Sequence, residues 1–270
     1  MVTGEQVEVR LVISQDGTRI AYETWGQGPA LITVGGTTCD RVLMRSTAQA
    51  FGEYFATINY DRRGRGESGD TSPYAVDREI EDIAALIEEA GGSACLYGHS
   101  SGAALVLHAV AAGLPVERFV LHDPPYAPDE PSQDAARAFA RDIRDLLNQD
   151  KGAEAIEMTF RGTGMPEDMI AEMRTSPRWP ALIALAPTLA YDSAVMGDID
   201  RGGSIPEDLA ARATRPGLVL VGGQSQEFMM EVSRRLAALL PAGDHRVIEG
   251  QDHVVSPDIL APIVAEFLRT

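Results

Sequence analysis

The chain has 270 residues, of which 44% are hydrophobic and 23% charged, the composition of a soluble globular protein. At this length one large α/β domain, with or without an insertion, buries enough surface to fold without metal or disulfide bridges. The 40 acidic side chains outnumber the 23 basic ones, and the net charge of −17 would repel nucleic acid and anionic membrane surfaces. We therefore expect a small-molecule substrate as partner, no nucleic acid and no membrane, and we leave assembly into a homo-oligomer open.

Cysteine content and the first residues of the sequence both predict a cytoplasmic protein. Cys39 and Cys95 are the only cysteines, too few for a disulfide framework or a cysteine metal site. Residues 1–10 alternate polar and apolar side chains and include acids, which is not the pattern of a signal peptide. Apolar runs long enough to cross a membrane do not occur.

Short apolar strands alternate with helical patterns through most of the chain, which indicates a mostly parallel sheet with helices on both faces. The first two strands form a hairpin around Gly17, so one edge of the sheet is predicted to be antiparallel. The fold class is therefore α/β, with eight strands. The predicted strands are residues 7–13, 19–24, 31–34, 56–60, 94–97, 118–122, 218–221 and 245–248, and the helices between them are residues 72–90, 103–112, 227–240 and 257–268.

The strand pattern stops between residues 124 and 214, where only helical patterns occur. One amphipathic helix is predicted around residues 139–147 and a further helix over residues 179–189. We interpret this segment as a helical cap, residues 124–214, inserted into a core domain made of residues 1–123 and 215–270.

Methionines are concentrated in this predicted cap. Met165, Met169 and Met173 follow each other at intervals of four and are predicted to lie on one face of a helix, with Trp179 nearby. This face has two interpretations, which are not exclusive. It packs the cap on itself or on the core domain, or it forms a flexible apolar wall of a substrate pocket.

The motif most indicative of chemistry is Gly98-His99-Ser100-Ser101-Gly102. It matches G-x-S-x-G, follows a predicted strand and precedes a predicted helix, as a nucleophile elbow requires. Glycines on both sides allow the strand and the helix to approach closely, and the strained turn exposes the Ser100 hydroxyl. The N–H of Ser101 lies at the start of the helix, where free donors and the helix dipole favour an anion.

With this elbow the chain resembles the α/β-hydrolase superfamily over nearly its whole length. Residues 60–68 (Tyr-Asp-Arg-Arg-Gly-Arg-Gly-Glu-Ser) are similar to the family's D-x-R-G-x-G-x-S turn after strand 4, and residues 250–253 (Gly-Gln-Asp-His) to its terminal G-x-x-H loop. Gly35-Gly36-Thr37 stands where the family has its oxyanion turn. The resemblance implies an α/β-hydrolase fold with a helical cap after strand 6.

The same resemblance implies roles for the residues around the elbow. Thr37 and Ser101 are expected to supply the two backbone N–H donors of an oxyanion hole. Gly36 and His99 are expected to line the substrate pocket together with Met165, Met169 and Trp179, while His99 also supports the elbow turn.

The acid of the catalytic triad is the ambiguous position. The family usually places it after strand 7 in a G-x-x-D pattern, but residues 222–225 here read Gly-Gly-Gln-Ser, with Glu227 two residues further on. Some family members place the acid after strand 6, where Asp123 precedes two prolines. We therefore predict Asp123 as the acid, with Glu227 as the alternative. The competing interpretation of Asp123 is a turn or helix-cap residue.

The general base is predicted from the positions of the five histidines. Only His253 lies in a loop after the last predicted core strand, at the carboxyl edge of the sheet, where ligands bind. A neutral histidine base requires an acceptor that fixes its tautomer and stabilises the imidazolium, and the acid of the triad has this role. The predicted triad is therefore Ser100, Asp123 and His253.

These residues predict a serine hydrolase that cleaves an ester, lactone or thioester of mainly apolar character through an acyl-enzyme. The alternatives are C–C bond hydrolysis or a lyase reaction by the same triad, and a ligand-binding relative with slow turnover. Residues 64–69 also fit G-x-G-x-x-G, but the next helix starts too late and Glu67 would repel a phosphate. We therefore expect no nucleotide cofactor and no metal.

Overall fold

The sheet of the computed structural model, which describes residues 8–270, has eight strands. The strands are β1 (Arg10–Ile13), β2 (Arg19–Trp25), β3 (Ala30–Val34), β4 (Ala56–Tyr60), β5 (Ala94–His99), β6 (Val116–His122), β7 (Gly217–Gly222) and β8 (Gly243–Ile248). Their order is β1-β2-β4-β3-β5-β6-β7-β8. Strand β2 is antiparallel to β1 and β4, and the other pairs are parallel. The predicted sheet with an antiparallel edge is confirmed, although its first strand begins at Arg10 and Val7 lies outside the described residues.

Helices cover both faces of this sheet. None of the helices that the structure describes has the length and apolar character needed to cross a membrane. The α-helices are α1 (Arg41–Phe51), α2 (Val76–Glu89), α3 (Ser101–Ala111), α4 (Glu130–Asn148), α5 (Gly152–Gly162), α6 (Glu167–Thr175), α7 (Trp179–Ala184), α8 (Leu189–Met196), α9 (Asp198–Arg201), α10 (Glu207–Arg212), α11 (Glu227–Leu239) and α12 (Pro257–Leu268).

Successive side chains of a strand point to opposite sides of the sheet. The central strands are buried on both faces because helices cover both sides. In β5, Leu96 packs into the cluster that contains residues of α2, α3 and α11, whereas Cys95 and Tyr97 pack with residues of α1 and α12. Strand β7 is buried along its whole length. This double burial explains why these strands are continuous apolar runs in the sequence.

Between β6 and β7 the chain forms helices α4 to α10; we call residues 124–214 the insertion. The helix predicted around residues 139–147 is part of α4. The prediction of one helix over residues 179–189 is wrong, since α7 ends at Ala184 and α8 begins at Leu189. Pro187 lies between them in a short 3-10 helix, and its missing N–H does not allow a continuous α-helix.

The insertion packs in two ways. Residues from α4 to the start of α8 form a hydrophobic cluster of their own, which includes Ile143, Ile156 and Leu182. The later residues Val195 and Met196 instead join the cluster on one face of the main sheet. Helices α4 to α7 are therefore packed mainly on one another, whereas α8 and the segment after it are anchored in the main core. The division into a core domain and a cap stays a prediction.

Two local features differ from the sequence prediction. Helix α2 begins at Val76 rather than near residue 72, because Tyr74 is engaged in tertiary contacts. Its ring stacks on Tyr191 of α8 with centroids 3.8 Å apart, and its hydroxyl donates to Glu79 Oε1 at 2.8 Å. The sequence pattern also did not predict α1, which follows the turn after β3.

Because β5 and α3 approach each other closely at Gly98, we expect glycine at this position to be required for stability. A Cβ at Gly98 would lie 2.5 Å from the Gly102 carbonyl oxygen and 2.7 Å from Ala103 Cα, so the helix backbone would have to move. Gly98→Ala should lower the free energy of unfolding by about 1–3 kcal/mol, as overpacking of a core does. Urea denaturation followed by circular dichroism measures this change.

Gly69→Ala is the matched control for this substitution. The atom nearest to a Cβ at Gly69 is Arg19 O at 3.5 Å, an ordinary contact. We expect its free energy of unfolding to stay within about 0.5 kcal/mol of the parent protein. Equal stability of the two variants would contradict the close crossing of β5 and α3.

Candidate active site

Ser100 occupies the turn that joins β5 to α3. Its backbone has φ 57° and ψ −127°, a conformation that residues other than glycine adopt only when the surrounding structure imposes it. The Ser100 N–H donates to His122 O at 2.8 Å, which ties the turn to the end of β6. The side chain stays partly exposed. A Cβ at Gly36 would lie 2.8 Å from Ser100 Cβ, so glycine is required where the turn after β3 meets the serine.

Asp123 lies at the end of β6, next to Ser100, and its carboxylate is buried. Its Oδ2 is 3.0 Å from His253 Nδ1, within hydrogen-bond distance. The Asp123 N–H donates to Leu220 O at 2.9 Å, and the backbone has φ 50°. Glu227, the alternative acid, is exposed in the first turn of α11 and makes no hydrogen bond to His253 within the described residues. The structure thus brings Asp123, and not Glu227, to the histidine.

Ser225 also belongs to the candidate site. The sequence analysis noted only that this position, after strand 7, carries no acid. Its hydroxyl donates to Asp123 Oδ2 at 2.8 Å, and Gly222 N donates to Asp123 Oδ1 at 3.3 Å. The loop after β7 therefore supplies donors to a carboxylate that comes from β6. These donors fix the direction of the carboxylate toward His253.

His253 lies in the loop between β8 and α12 and is partly exposed. A hydrogen bond between Ser100 Oγ and His253 is not formed within residues 8–270, and such bonds are often long before substrate binds. His99 Nε2 donates to the His253 carbonyl oxygen at 2.9 Å, with the ring centroids 4.5 Å apart. Burial, followed by the charge of His253, lowers the pKa of His99 to about 4, so His99 is neutral near pH 7. His99 thus supports the histidine loop.

The two predicted oxyanion donors come from different elements. Thr37 follows β3, and Ser101 is the first residue of α3. In the part of the chain that the structure describes, neither N–H donates to a protein acceptor. The Thr37 hydroxyl donates to Ser101 Oγ at 3.1 Å, which joins the two residues through their side chains. Their backbone groups are thus available to an anion.

Beneath these donors lies a buried ion cluster, which we define as Arg62, Arg65, Glu79 and Asp192. Asp192 belongs to α8 of the insertion and accepts from Arg62 Nη1 at 2.7 Å and from Arg65 Nη2 at 2.9 Å. Burial alone would raise the pKa of Asp192, but the charges of Arg65 and Arg62 outweigh it and hold that pKa below its usual value. The carboxylate is therefore ionised near pH 7.

The sequence analysis did not identify Asp192. Its one local signal is an acid within the short, otherwise mostly apolar helix Leu189–Met196. An acid at such a position is expected to be paired, because an unpaired buried charge is costly. The partner arginines are separated from Asp192 by more than a hundred residues of chain, so no local pattern identifies them.

The residues predicted to form an apolar pocket wall lie in the insertion. Met165 and Trp179 pack against the insertion's own hydrophobic cluster, and Met169 is 52% exposed. The prediction that Met165 shares a helix face with Met169 and Met173 is wrong, since Met165 precedes α6, which begins at Glu167. Contact of Met165, Met169 and Trp179 with substrate stays a prediction.

Two contacts show where the start of the insertion lies relative to the site. Arg178 Nη2 is 3.7 Å from Asp40 Oδ1, just after the turn that contains Thr37. On the other side, Gln226 Nε2 donates to Thr163 O at 3.4 Å, just after the loop that contains Ser225. The insertion therefore reaches loops on both sides of Ser100. Among residues 8–270, no group of three or more His, Cys, Asp or Glu side chains is arranged to hold a metal ion.

The chain is similar to several known proteins in sequence and in structure. The crystal structure of an alpha/beta hydrolase from Sphaerobacter thermophilus is 41% identical and covers 96% of this chain and 100% of that one, with a TM-score of 0.84. The 2-(acetamidomethylene)succinate hydrolase of Mesorhizobium japonicum is 29% identical over 253 residues, 90% of this chain and 89% of that protein. The N-formylmaleamate deformylase of Pseudomonas putida is 40% identical over 118 residues, which is 42% of this chain and only 44% of that protein.

The family itself follows from a match over most of the chain. The family model described as the alpha/beta hydrolase family matches residues 22–262. This match includes strands β3 to β8, the elbow at Ser100 and the loop of His253. The chain therefore belongs to the alpha/beta hydrolase family.

Proposed function

We propose that this hydrolase cleaves the acyl C–N bond of a small N-acylated molecule, with Ser100 as nucleophile, His253 as general base and Asp123 as the acid that orients it. The observation that carries the proposal is the Asp123–His253 hydrogen bond of 3.0 Å beside the strained Ser100. The names of two relatives support the bond type, since one is a deformylase of an N-formyl compound and the other hydrolyses an acetamido compound. This proposal replaces the ester as the main substrate class.

The reaction begins when Ser100 Oγ attacks the carbonyl carbon and His253 Nε2 takes the hydroxyl proton. Negative charge develops on the carbonyl oxygen and is stabilised by the N–H groups of Thr37 and Ser101, which are free of protein acceptors in the described chain. When the tetrahedral intermediate collapses, the C–N bond breaks and His253 gives its proton to the leaving nitrogen. The acyl group remains on Ser100.

The second half of the reaction repeats the first with water as the nucleophile. His253 takes a proton from water, the resulting hydroxide attacks the acyl carbon, and the oxyanion returns to the same two donors. Collapse of the second intermediate releases the carboxylic acid and returns the proton to Ser100 Oγ. An ester follows the same steps with a better leaving group, so esters are expected to react as well.

The role of Asp123 follows from the two nitrogens of the His253 imidazole. The Asp123 carboxylate accepts from Nδ1–H of His253, so the proton stays on Nδ1 and Nε2 is free to accept from Ser100. The same carboxylate stabilises the imidazolium that forms in each half of the reaction. Donation by Ser225 and Gly222 holds the Asp123 carboxylate in the orientation that this role needs.

We test the bond type with matched pairs of chromogenic substrates. p-Nitroformanilide and p-nitroacetanilide carry the amide bond, and p-nitrophenyl formate and acetate carry the ester bond on the same ring. We expect the purified protein to release p-nitroaniline from at least one anilide, and Ser100→Ala to abolish this activity with an unchanged circular dichroism spectrum. Turnover of the esters alone would contradict the amide proposal, and equal activity of Ser100→Ala would exclude the serine mechanism.

The acid is tested by Asp123→Asn, which keeps the size of the side chain but offers an amide where His253 needs a carboxylate. The imidazole would then adopt the wrong tautomer, and kcat should fall about 10⁴-fold, as for the corresponding change in serine proteases. Steady-state kinetics on the best substrate of the panel measures this loss.

Glu227→Gln is the control, because it removes the alternative acid from an exposed helix start. Its kcat should stay within about two-fold of the parent enzyme, as expected for an exposed residue that contacts no reacting group. A large loss in Glu227→Gln with a small loss in Asp123→Asn would reverse the assignment.

A further inference from the structure

We propose that Asp192 of the insertion is a positioning residue that holds both oxyanion donors of the site, so that the donors depend on the docking of α8. The proposal rests on the function proposed above. Asp192 is buried, touches neither Ser100 nor His253, and is bound from two sides by groups that lead to Thr37 and Ser101.

The first connection goes through Arg65 to the turn after β3. Arg65 Nη2 donates to both carboxylate oxygens of Asp192 at 2.9 Å. Its Nη1 donates to Gly36 O at 2.5 Å and to Cys39 O at 3.1 Å. The Gly36 carbonyl and the Thr37 N–H belong to one planar trans peptide unit and point in opposite directions. Fixing the Gly36 oxygen on Arg65 therefore fixes the direction of the Thr37 N–H.

The second connection goes through the Ser101 side chain to the start of α3. The Ser101 hydroxyl has one proton, which it donates to Asp192 Oδ1 at 2.8 Å. Its oxygen then accepts from the Thr37 hydroxyl at 3.1 Å. Both donor residues are thus bound, through one hydroxyl, to the carboxylate that also holds Arg65.

The location of Asp192 links this arrangement to the insertion. Helix α8 also packs into the main core through Val195 and Met196 and contacts α3 through the hydrogen bond between His108 Nε2 and Val195 O at 3.0 Å. A displacement of α8 would therefore remove the anion that Arg65 and Ser101 share. Without it, Arg65 loses its charged partner and its hold on the Gly36 oxygen loosens, which leaves the Gly36–Thr37 peptide unit with the longer hydrogen bond from the Cys39 N–H at 3.2 Å.

A second buried ion pair in the same turn provides a matched comparison. Arg63 donates to Asp82 at 2.7 and 2.8 Å and to Asp16 at 2.9 Å, and Asp82 is as deeply buried as Asp192. None of these three residues forms a hydrogen bond to Gly36, Thr37 or Ser101 in the described chain. Loss of either carboxylate should destabilise the fold, but only loss of Asp192 should disturb the oxyanion donors.

The experiment compares Asp192→Asn with Asp82→Asn in the full-length protein. We expect Asp192→Asn to lower kcat about 10- to 100-fold with KM within about two-fold, because a loosened donor costs less than a removed one. The pH at half-maximal kcat should not move, since His253 and Asp123 are untouched. Asp82→Asn should keep both kcat and KM within about two-fold. Hydrogen–deuterium exchange of the peptide covering residues 35–40 should become at least about ten-fold faster in Asp192→Asn alone.

Each outcome decides the proposal. Unchanged kcat and unchanged exchange in Asp192→Asn, or the same change in Asp82→Asn, would overturn it. If the parent protein hydrolyses no member of the substrate panel, the proposed function fails, yet the exchange of residues 35–40 still tests the positioning role. If Asp192→Asn does not fold, Ser101→Ala and Thr37→Val remove only hydroxyls. They should still lower kcat at constant KM, and unchanged kcat in both would overturn the proposal.

Discussion

Three arginines in the turn after β4 are buried, and each requires a carboxylate, since a buried guanidinium without a partner is strongly destabilising. Arg62 binds Glu79 and Arg63 binds Asp82, both from α2, whereas Arg65 binds Asp192 from α8. This pairing requires α2 and α8 to meet at the turn. The turn after β4, which includes the segment that fits a nucleotide-binding glycine pattern in the sequence, therefore binds α2, the turn after β3 and the insertion together.

Backbone strain is concentrated at the same edge of the sheet. Of the four residues other than glycine with positive φ in the described chain, Thr38, Ser100 and Asp123 lie in three of the loops that form the candidate site. Such conformations persist only where the surroundings impose them, and here neighbouring strands accept the N–H groups of Ser100 and Asp123. The parallel sheet thus holds these three strained residues at fixed positions.

The sequence predicted the features that depend on local patterns and missed those that depend on distant pairing. The strands and the elbow follow from alternation and from the glycines around Ser100, whereas Asp123 was predicted as the acid from the resemblance to family members that place it after strand 6. Asp192 and Ser225 were not predicted, because their partners are far apart in sequence. The helix predicted through Pro187 and the helical position of Met165 were wrong because spacing was given more weight than the prolines at residues 187 and 166.

The two packing modes of the insertion differ in how firmly they attach it to the main core. Helix α8 is fixed by buried ion pairs and by the main core, and breaking a buried pair costs several kcal/mol. The earlier helices form their own cluster, and their ion pair with the core, Arg178–Asp40, involves an arginine that is 43% exposed. Exposed pairs contribute only about 0–1 kcal/mol. Side chains in α4 to α7 therefore lie outside the buried ion pairs that fix Asp192, so substitutions among them are expected to leave those pairs in place.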